Sequence, residues 1–425
     1  MEITKKILSV EKDHFNRLSS QAKQLIKGFT LFNLIFPIFS IFTIAYLWRQ
    51  SHDIILVAIF NLGVFAAMPV GFYINGYLLK KFFPSKLYFA GILFQAIFTA
   101  AVIFSPITNY TSTLIYGLFI GLSAGLIWSN RAFLVVKITS NKNMIYFISL
   151  DSTISLLLGI VVPVAIGSFI IFGQSGHLYS PVQAYYFLSL LMFLIVFFIF
   201  NNTKNITSEL PQLSQIFLKN PSKKWLKMRF FAFVFGLLSG LGSFVPIIMV
   251  MQFVGKEDAL GTVQSLSAVV AAIIIYTVGK KITVEQRGWI VAGNVLFAIL
   301  AGLSFAILYS KIGVFIYFIF QSFAQPLGSI GYSSIYYGLV ETENQKTQNH
   351  YSHIVDSEIY INSGRIIGIT AFILFIHLSS QAVALRYTLL FFTFFQILLF
   401  IIARSIDKGP KTITVNNSPL TIDSI

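Results

Sequence analysis

Apolar stretches long enough to cross a bilayer recur along the whole chain, and one of them, IILVAIFNLGVFAAMPVGFYINGYL at 54–78, carries no charge at all. A helix needs about 20 such residues to cross a hydrocarbon core of about 30 Å. Inside lipid every backbone polar group has to be satisfied within the protein, which only helices and closed barrels achieve. Barrel strands alternate apolar and polar residues, and these runs do not. Composition agrees, because 56% of the 425 residues are hydrophobic and 11% charged, against about 45–50% and about 25% for a soluble chain. No soluble interior of this size hides so much apolar surface. A soluble enzyme and a disordered scaffold are excluded, and the chain is predicted to be an all-α polytopic membrane protein.

Hydropathy places twelve spans at 28–47, 54–78, 87–105, 112–136, 145–172, 184–201, 230–253, 259–279, 288–309, 312–339, 354–377 and 383–403. Residues 1–27 lack the apolar core and cleavage site of a signal peptide. Phe15, Leu18, Ala22, Leu25 and Ile26 recur there at helical spacing between lysines, which predicts a short amphipathic helix along the membrane surface. An even number of spans puts both termini on one side. That side, which includes the loops after even-numbered spans, collects 24 of the 30 Lys and Arg residues, against 4 on the other side. The remaining two, Arg131 and Arg365, fall inside spans. By the positive-inside rule both termini are cytoplasmic, in the plasma (inner) membrane, and the net charge of +15 needs no nucleic acid to explain it.

The longest hydrophilic stretch, 203–229, is basic and divides a six-helix half (28–202) from a second one (230–403), with a cytoplasmic tail at 404–425. The halves carry traces of duplication. Asp151-Ser152-Thr153-Ile154 with Gly159, and Asp356-Ser357-Glu358-Ile359 with Gly364, both fit D-S-x-I-x-x-x-x-G at a 205-residue offset, in spans five and eleven. KKFFPSKLYFAG (80–91) after span two likewise matches KKITVEQRGWIVAG (280–293) after span eight. The pattern predicts a 6+6 pseudo-repeat.

Twelve spans, a basic central loop and this repeat resemble the major facilitator superfamily of secondary transporters. In the loop after span two, Gly76, Lys81 and Lys86 fit the superfamily's G-x-x-x-D-[RK]-x-G-[RK]-[RK] signature, but Lys80 stands at the acidic position and Phe83 at the second glycine. In the superfamily that acid helps to latch the cytoplasmic side, so a latch here requires other partners. Pro163 and Gly167 retain part of the span-five pattern of exporter-type antiporters, while Arg131 is not followed by the Gln-Gly of the span-four motif. The resemblance implies alternating access and a cavity lined by spans one, four, seven and ten. The uncharged candidates on those spans are Asn33, Trp128, Asn130, Gln252, Gln321, Gln325, Tyr332, Tyr336 and Tyr337. Pro326 and Gly328 are expected to kink span ten.

Charges inside a bilayer normally face the bundle interior, pair, or line a water path. Span interiors hold Arg131, Asp151, Asp356, Glu358 and Arg365. Equal depth on consecutive helices predicts an Arg131–Asp151 pair, read either as a clamp between neighbours or as part of substrate binding or coupling. Glu358, Asn362 and Arg365 share one helical face. If Arg365 neutralises Glu358, Asp356 is left as the unpaired acid and the proton-site candidate. The same acids also suit a cytoplasmic gate.

With no cysteine, no metal-ligand spacing among six histidines and no phosphate-binding loop, neither a cofactor, a metal nor ATP is expected. The sequence reads as a non-enzymatic secondary transporter. It moves a small polar organic solute, with protons as a candidate coupling ion, in import or export, and is expected to be monomeric in the lipid bilayer. A lipid flippase of the same architecture is the alternative, and a membrane-embedded transferase the remote one. Topology is directly testable: reporter fusions after residues 27, 220 and 410 should read cytoplasmic and one after residue 177 external, and a contrary result at 220 breaks the 6+6 scheme.

Overall fold

The computed structural model describes residues 15–105, 109–138, 141–204, 206, 215–279, 287–347 and 350–407. All regular structure among them is helical. Twelve helices are long and apolar enough to cross a membrane: α1 (Ser20–Ser51), α2 (Ile54–Leu78), α3 (Pro84–Phe104), α4 (Tyr110–Val135), α5 (Tyr146–Ser175), α6 (Pro181–Thr203), α7 (Lys223–Phe253), α8 (Glu257–Val278), α9 (Arg287–Leu308), α10 (Lys311–Val340), α11 (Tyr351–Leu378) and α12 (Gln381–Ile406). The connection between α6 and α7 defines one face of the bundle, called here the linker face; the opposite one is the far face.

Helix ends follow local chemistry more than hydropathy. Ser19 accepts from the Ala22 amide, so α1 starts at Ser20, and Leu25 and Ile26 are buried in the main core. The expected separate surface helix is thereby corrected over residues 20–27, which are the first turns of α1; residues 1–14 lie outside the described residues. Ser222 likewise caps α7, and Lys223–Arg229, read as linker, are helical because Trp225 and Met228 have an interior to enter. Asp53 accepts the Ile55 and Leu56 amides at the start of α2, and Ser180 and Gln183 form a capping box on α6. Within α1, Pro37 lacks an amide hydrogen, and a π-helical turn at Ile38–Phe42 follows it. Pro326 sits inside an unbroken α10 helix of Lys311–Thr347, so the expected kink does not interrupt the helix.

Small residues bring helices to backbone contact. Gly117, Gly121 and Gly125 recur every fourth residue on α4 and meet α2; a Cβ on Gly121 would lie 2.2 Å from the Val64 carbonyl oxygen. Gly236 on α7 meets α11 in the same way, 2.1 Å from the Ile361 oxygen. Between the halves, a Cβ on Gly167 of α5 would lie 2.4 Å from the Glu257 oxygen, and one on Gly261 of α8 would lie 2.2 Å from that of Pro163.

The cores reveal an asymmetry between the faces. The apolar core of the first six helices runs without a break into the far-face part of the last six, through Phe39, Phe42, Ile170, Phe244, Leu260 and Phe372. The linker-face part of the last six helices has its own core, around Trp225, Phe231, Val291, Ile335 and Leu399. A third, small core holds α2 to α11 through Phe72, Leu79, Tyr351 and Val355. The halves are thus fused on the far face and joined at the linker face along the α2–α11 seam.

Gly121→Ala should lower the thermal unfolding midpoint of the purified protein by the equivalent of about 1–3 kcal/mol. Gly159→Ala, where the nearest atom is the Ala268 Cβ at 3.9 Å, should leave the midpoint unchanged.

Candidate functional site

On the linker-face side of the first half, α1, α4 and α5 converge on Arg131. Its Nη2 donates to both carboxylate oxygens of Asp151, at 3.0 and 2.8 Å, and Nη1 reaches Asn33 Oδ1 at 3.5 Å. Asn33 in turn donates to Ser155 Oγ at 2.7 Å. The guanidinium lies over the Phe29 ring, 4.1 Å from its centroid, with Phe32 and Trp128 each at 5.8 Å. Trp128 packs edge-on against Phe32 and Phe36 and remains 37% exposed, so this polar cluster has an aromatic wall and an open side. The Arg131–Asp151 contact inferred from equal helix depth is present, and Asn33 and Trp128 join it.

Asn130 does not. It is fully buried and donates to Asn75 Oδ1 at 2.6 Å; Asn75 donates to the Tyr351 hydroxyl at 3.2 Å, and Tyr351 donates to the Phe72 carbonyl at 2.7 Å. This chain ties α4 and α2 to α11 on the linker-face side of the bundle. Gly76 belongs to the same seam, since a Cβ there would meet Tyr351 and Ile216 at 3.0 and 3.1 Å. Lys80, Lys81 and Lys86 are exposed, with Lys80 over the Tyr77 ring and Lys86 over Phe83.

Among the candidates in the second half, Tyr332 and Tyr336 stack on each other, Tyr332 also on Phe231, and both pack against the linker-face core of that half. Both are partly buried, and the Tyr332 hydroxyl shares a 2.7 Å hydrogen bond with Ser357 Oγ of α11. Gln325 and Gln252 are exposed and Gln321 is half-buried, and none of the three hydrogen-bonds to the Arg131 cluster.

Asp356 requires a correction. It accepts from Arg229 Nη2 at 2.6 Å, Arg229 Nε at 2.9 Å and Trp225 Nε1 at 2.7 Å, so it is a fully engaged carboxylate and not an unpaired one. Arg229 falls in the basic stretch that hydropathy reads as a linker, and its helical position on α7 is what supplies the partner. Of the three acids placed inside the spans, Glu358 is the one with no arginine or lysine in ion-pair contact among the described residues; it accepts from Asn362 Nδ2 at 3.0 Å. Asn362 Oδ1 accepts from Arg365 Nη1 at 3.1 Å, so the polar stripe on α11 is one connected chain.

A third charge pair has no signature in the sequence. Arg49, near the end of α1, uses Nε and Nη2 to hold both carboxylate oxygens of Glu257, the first residue of α8. Tyr185 of α6 donates to the same carboxylate at 3.4 Å, and the Glu257 side chain is fully buried. Hydropathy places both residues in external loops, and 208 positions separate them, so no local pattern couples them.

No family model matches the sequence. The chain is 26% identical over 366 residues to the uncharacterized protein YqgE of Bacillus subtilis (strain 168), covering 84% of this chain and 83% of that protein. Among solved structures it resembles a bacterial homologue of the iron transporter ferroportin in an inward-facing state, with TM-score 0.68, 14% identity and coverage of 91% of this chain and 98% of the other. It also resembles a POT family transporter in complex with 5-aminolevulinic acid, with TM-score 0.67, 11% identity and coverage of 91% and 96%. The class is therefore set: this is a multi-pass, all-helical membrane protein. Its fold is that of the major facilitator superfamily.

Removing one partner of the Arg131–Asp151 pair leaves a largely buried charge, at a cost of roughly 3–5 kcal/mol. Arg131→Ala and Asp151→Ala should each reduce folded yield, and the double variant should recover part of the loss; a double variant as poor as the sum of the singles overturns the coupling.

Proposed function

We propose that the protein is a secondary active transporter that moves a small polar organic solute by alternating access between two six-helix halves, α1–α6 and α7–α12, joined by the connection between Thr203 and Lys223. The observation that carries this reading is the unequal joining of the halves. Continuous apolar packing and the Arg49–Glu257 pair close the far face, while on the linker side the halves meet only along the narrower α2–α11 seam, and the polar Arg131 cluster with its part-exposed Trp128 lies in the first half. A two-state machine of this kind needs a breakable closure on each face and a polar site between them. The far-face pair and the Asn130–Asn75–Tyr351 seam suit those two closures.

The positive-inside charge distribution assigns the linker face and both termini to the cytoplasm, in the plasma (inner) membrane. Asn33, Trp128 and Arg131 are the first-half residues proposed to meet the solute, with Asp151 holding Arg131 in place. The identity of the solute does not pass to this chain from proteins 11–14% identical to it.

Reconstituted in proteoliposomes, the purified protein should exchange or accumulate at least one solute from a panel of sugars, amino acids, carboxylates and cationic drugs; inactivity across the panel, with and without a pH gradient, counts against transport. The gating arrangement has its own test, made clean by the absence of native cysteine. Ser243→Cys, near the far end of the interface, should react several-fold faster with an impermeant maleimide added from outside when Glu257→Gln is also present. An unchanged rate removes the pair from the gate.

A further inference from the structure

Three of the arginines in the membrane-spanning helices hold a carboxylate directly: Arg49 with Glu257, Arg131 with Asp151 and Arg229 with Asp356. Arg365 does not. It lies at the middle of α11, where α7 and α2 meet that helix, and its polar partners are neutral: Nε donates to Ser239 Oγ at 3.3 Å and Nη1 to Asn362 Oδ1 at 3.1 Å. Phe65 of α2 stacks under the guanidinium, 4.7 Å from CZ to the ring centroid. Nη2 has no acceptor among the described residues, and it is not one of the occluded side-chain atoms left without a partner. A guanidinium at membrane mid-depth, held on one side by neutral groups and ring-stacked, with one arm of its fork uncommitted, has the geometry of an anion receptor.

Resting on the transporter reading above, we propose that Arg365 is the anion-holding group of the central site, that the solute is a small organic carboxylate, and that Glu358 takes up one proton as the carboxylate binds. Charge counting selects the class. In the empty site the Arg365 charge is balanced at a distance by Glu358, relayed through Asn362. A monocarboxylate docking on the open arm takes over that balance and leaves Glu358 as a second, uncompensated buried anion. Protonating Glu358 restores neutrality, so one carboxylate carries one proton. A doubly charged phosphate would leave a negative charge over, because the neighbouring arginines are already committed. The groups facing Glu358 are Arg365 on its own helix and, from α10, Tyr332 and Tyr336; Asp356, also near Tyr336, is neutralised by Arg229. None of the α10 groups supplies a competing cation.

The test uses the full chain purified in detergent, with benzoate and lactate as probes and benzamide and lactamide as their uncharged counterparts. The carboxylates should raise the thermal unfolding midpoint and the amides should not. In a weakly buffered solution with a pH indicator, binding should take up close to one proton per carboxylate. Arg365→Gln should weaken the carboxylate effect by about ten- to a hundredfold. Glu358→Gln, which leaves the receptor intact, should keep binding while abolishing proton uptake, and the wild-type proton count stands even if Arg365→Gln fails to fold. The inference is overturned if neither carboxylate stabilises the protein beyond its amide, if stabilisation survives Arg365→Gln, or if binding takes up no proton. Wild-type protein that transports only uncharged solutes overturns this inference and leaves the transporter reading intact. Wild-type protein that transports nothing counts against the transporter reading itself.

Discussion

A charge that cannot reach water has to find its opposite inside the protein, and this constraint organises the structure. Each of the three buried pairs ties together helices that are not joined by one turn of chain or that have to hold a fixed register: α4 to α5, α7 to α11, and α1 to α8. Leaving one member alone is far costlier than the pair is favourable. The pairs therefore act as specifiers of which helices meet and at what depth, while the apolar surface and the glycine contacts supply the attraction. Only α1–α8 joins the two halves, and it does so at the far face, where the apolar core is continuous.

Close backbone approach is the second organising element, and it works differently at different seams. Within the halves, the α2–α4 and α7–α11 contacts use glycines against backbone carbonyls; the latter is accompanied by the Arg229–Asp356 pair. Across the halves, Gly167 and Gly261 bring α5 and α8 together beside Glu257. The α2–α11 seam instead uses a chain of neutral hydrogen bonds through Asn75 and Tyr351. Neutral bonds cost less to break than a buried ion pair, so the two faces of the molecule are closed by interactions of unequal strength.

The sequence repeat shows how far duplication constrains a site. Asp151 and Asp356 occupy the same place in the two D-S-x-I segments, and both hold an arginine. The arginine comes from α4 in the first half and from α7 in the second. The need for a counter-charge is shared by the two halves, and the helix that supplies it is not.

The number of helices, their all-α character and the depth of Arg131 and Asp151 were legible in the sequence. Hydrophobic length, backbone satisfaction and helix rise depend only on residues close along the chain. Capping residues extended α1 and α7 beyond their apolar limits, because the amphipathic turns carrying Leu25, Ile26, Trp225 and Met228 have interior to fill. The pairing of Asp356 with Arg229, of Glu257 with Arg49, and the diversion of Asn130 toward α2 were decided only by tertiary structure. Those contacts span 127, 208 and 55 residues. A charge finds its partner by distance in space, and at such separations the fold alone sets that distance.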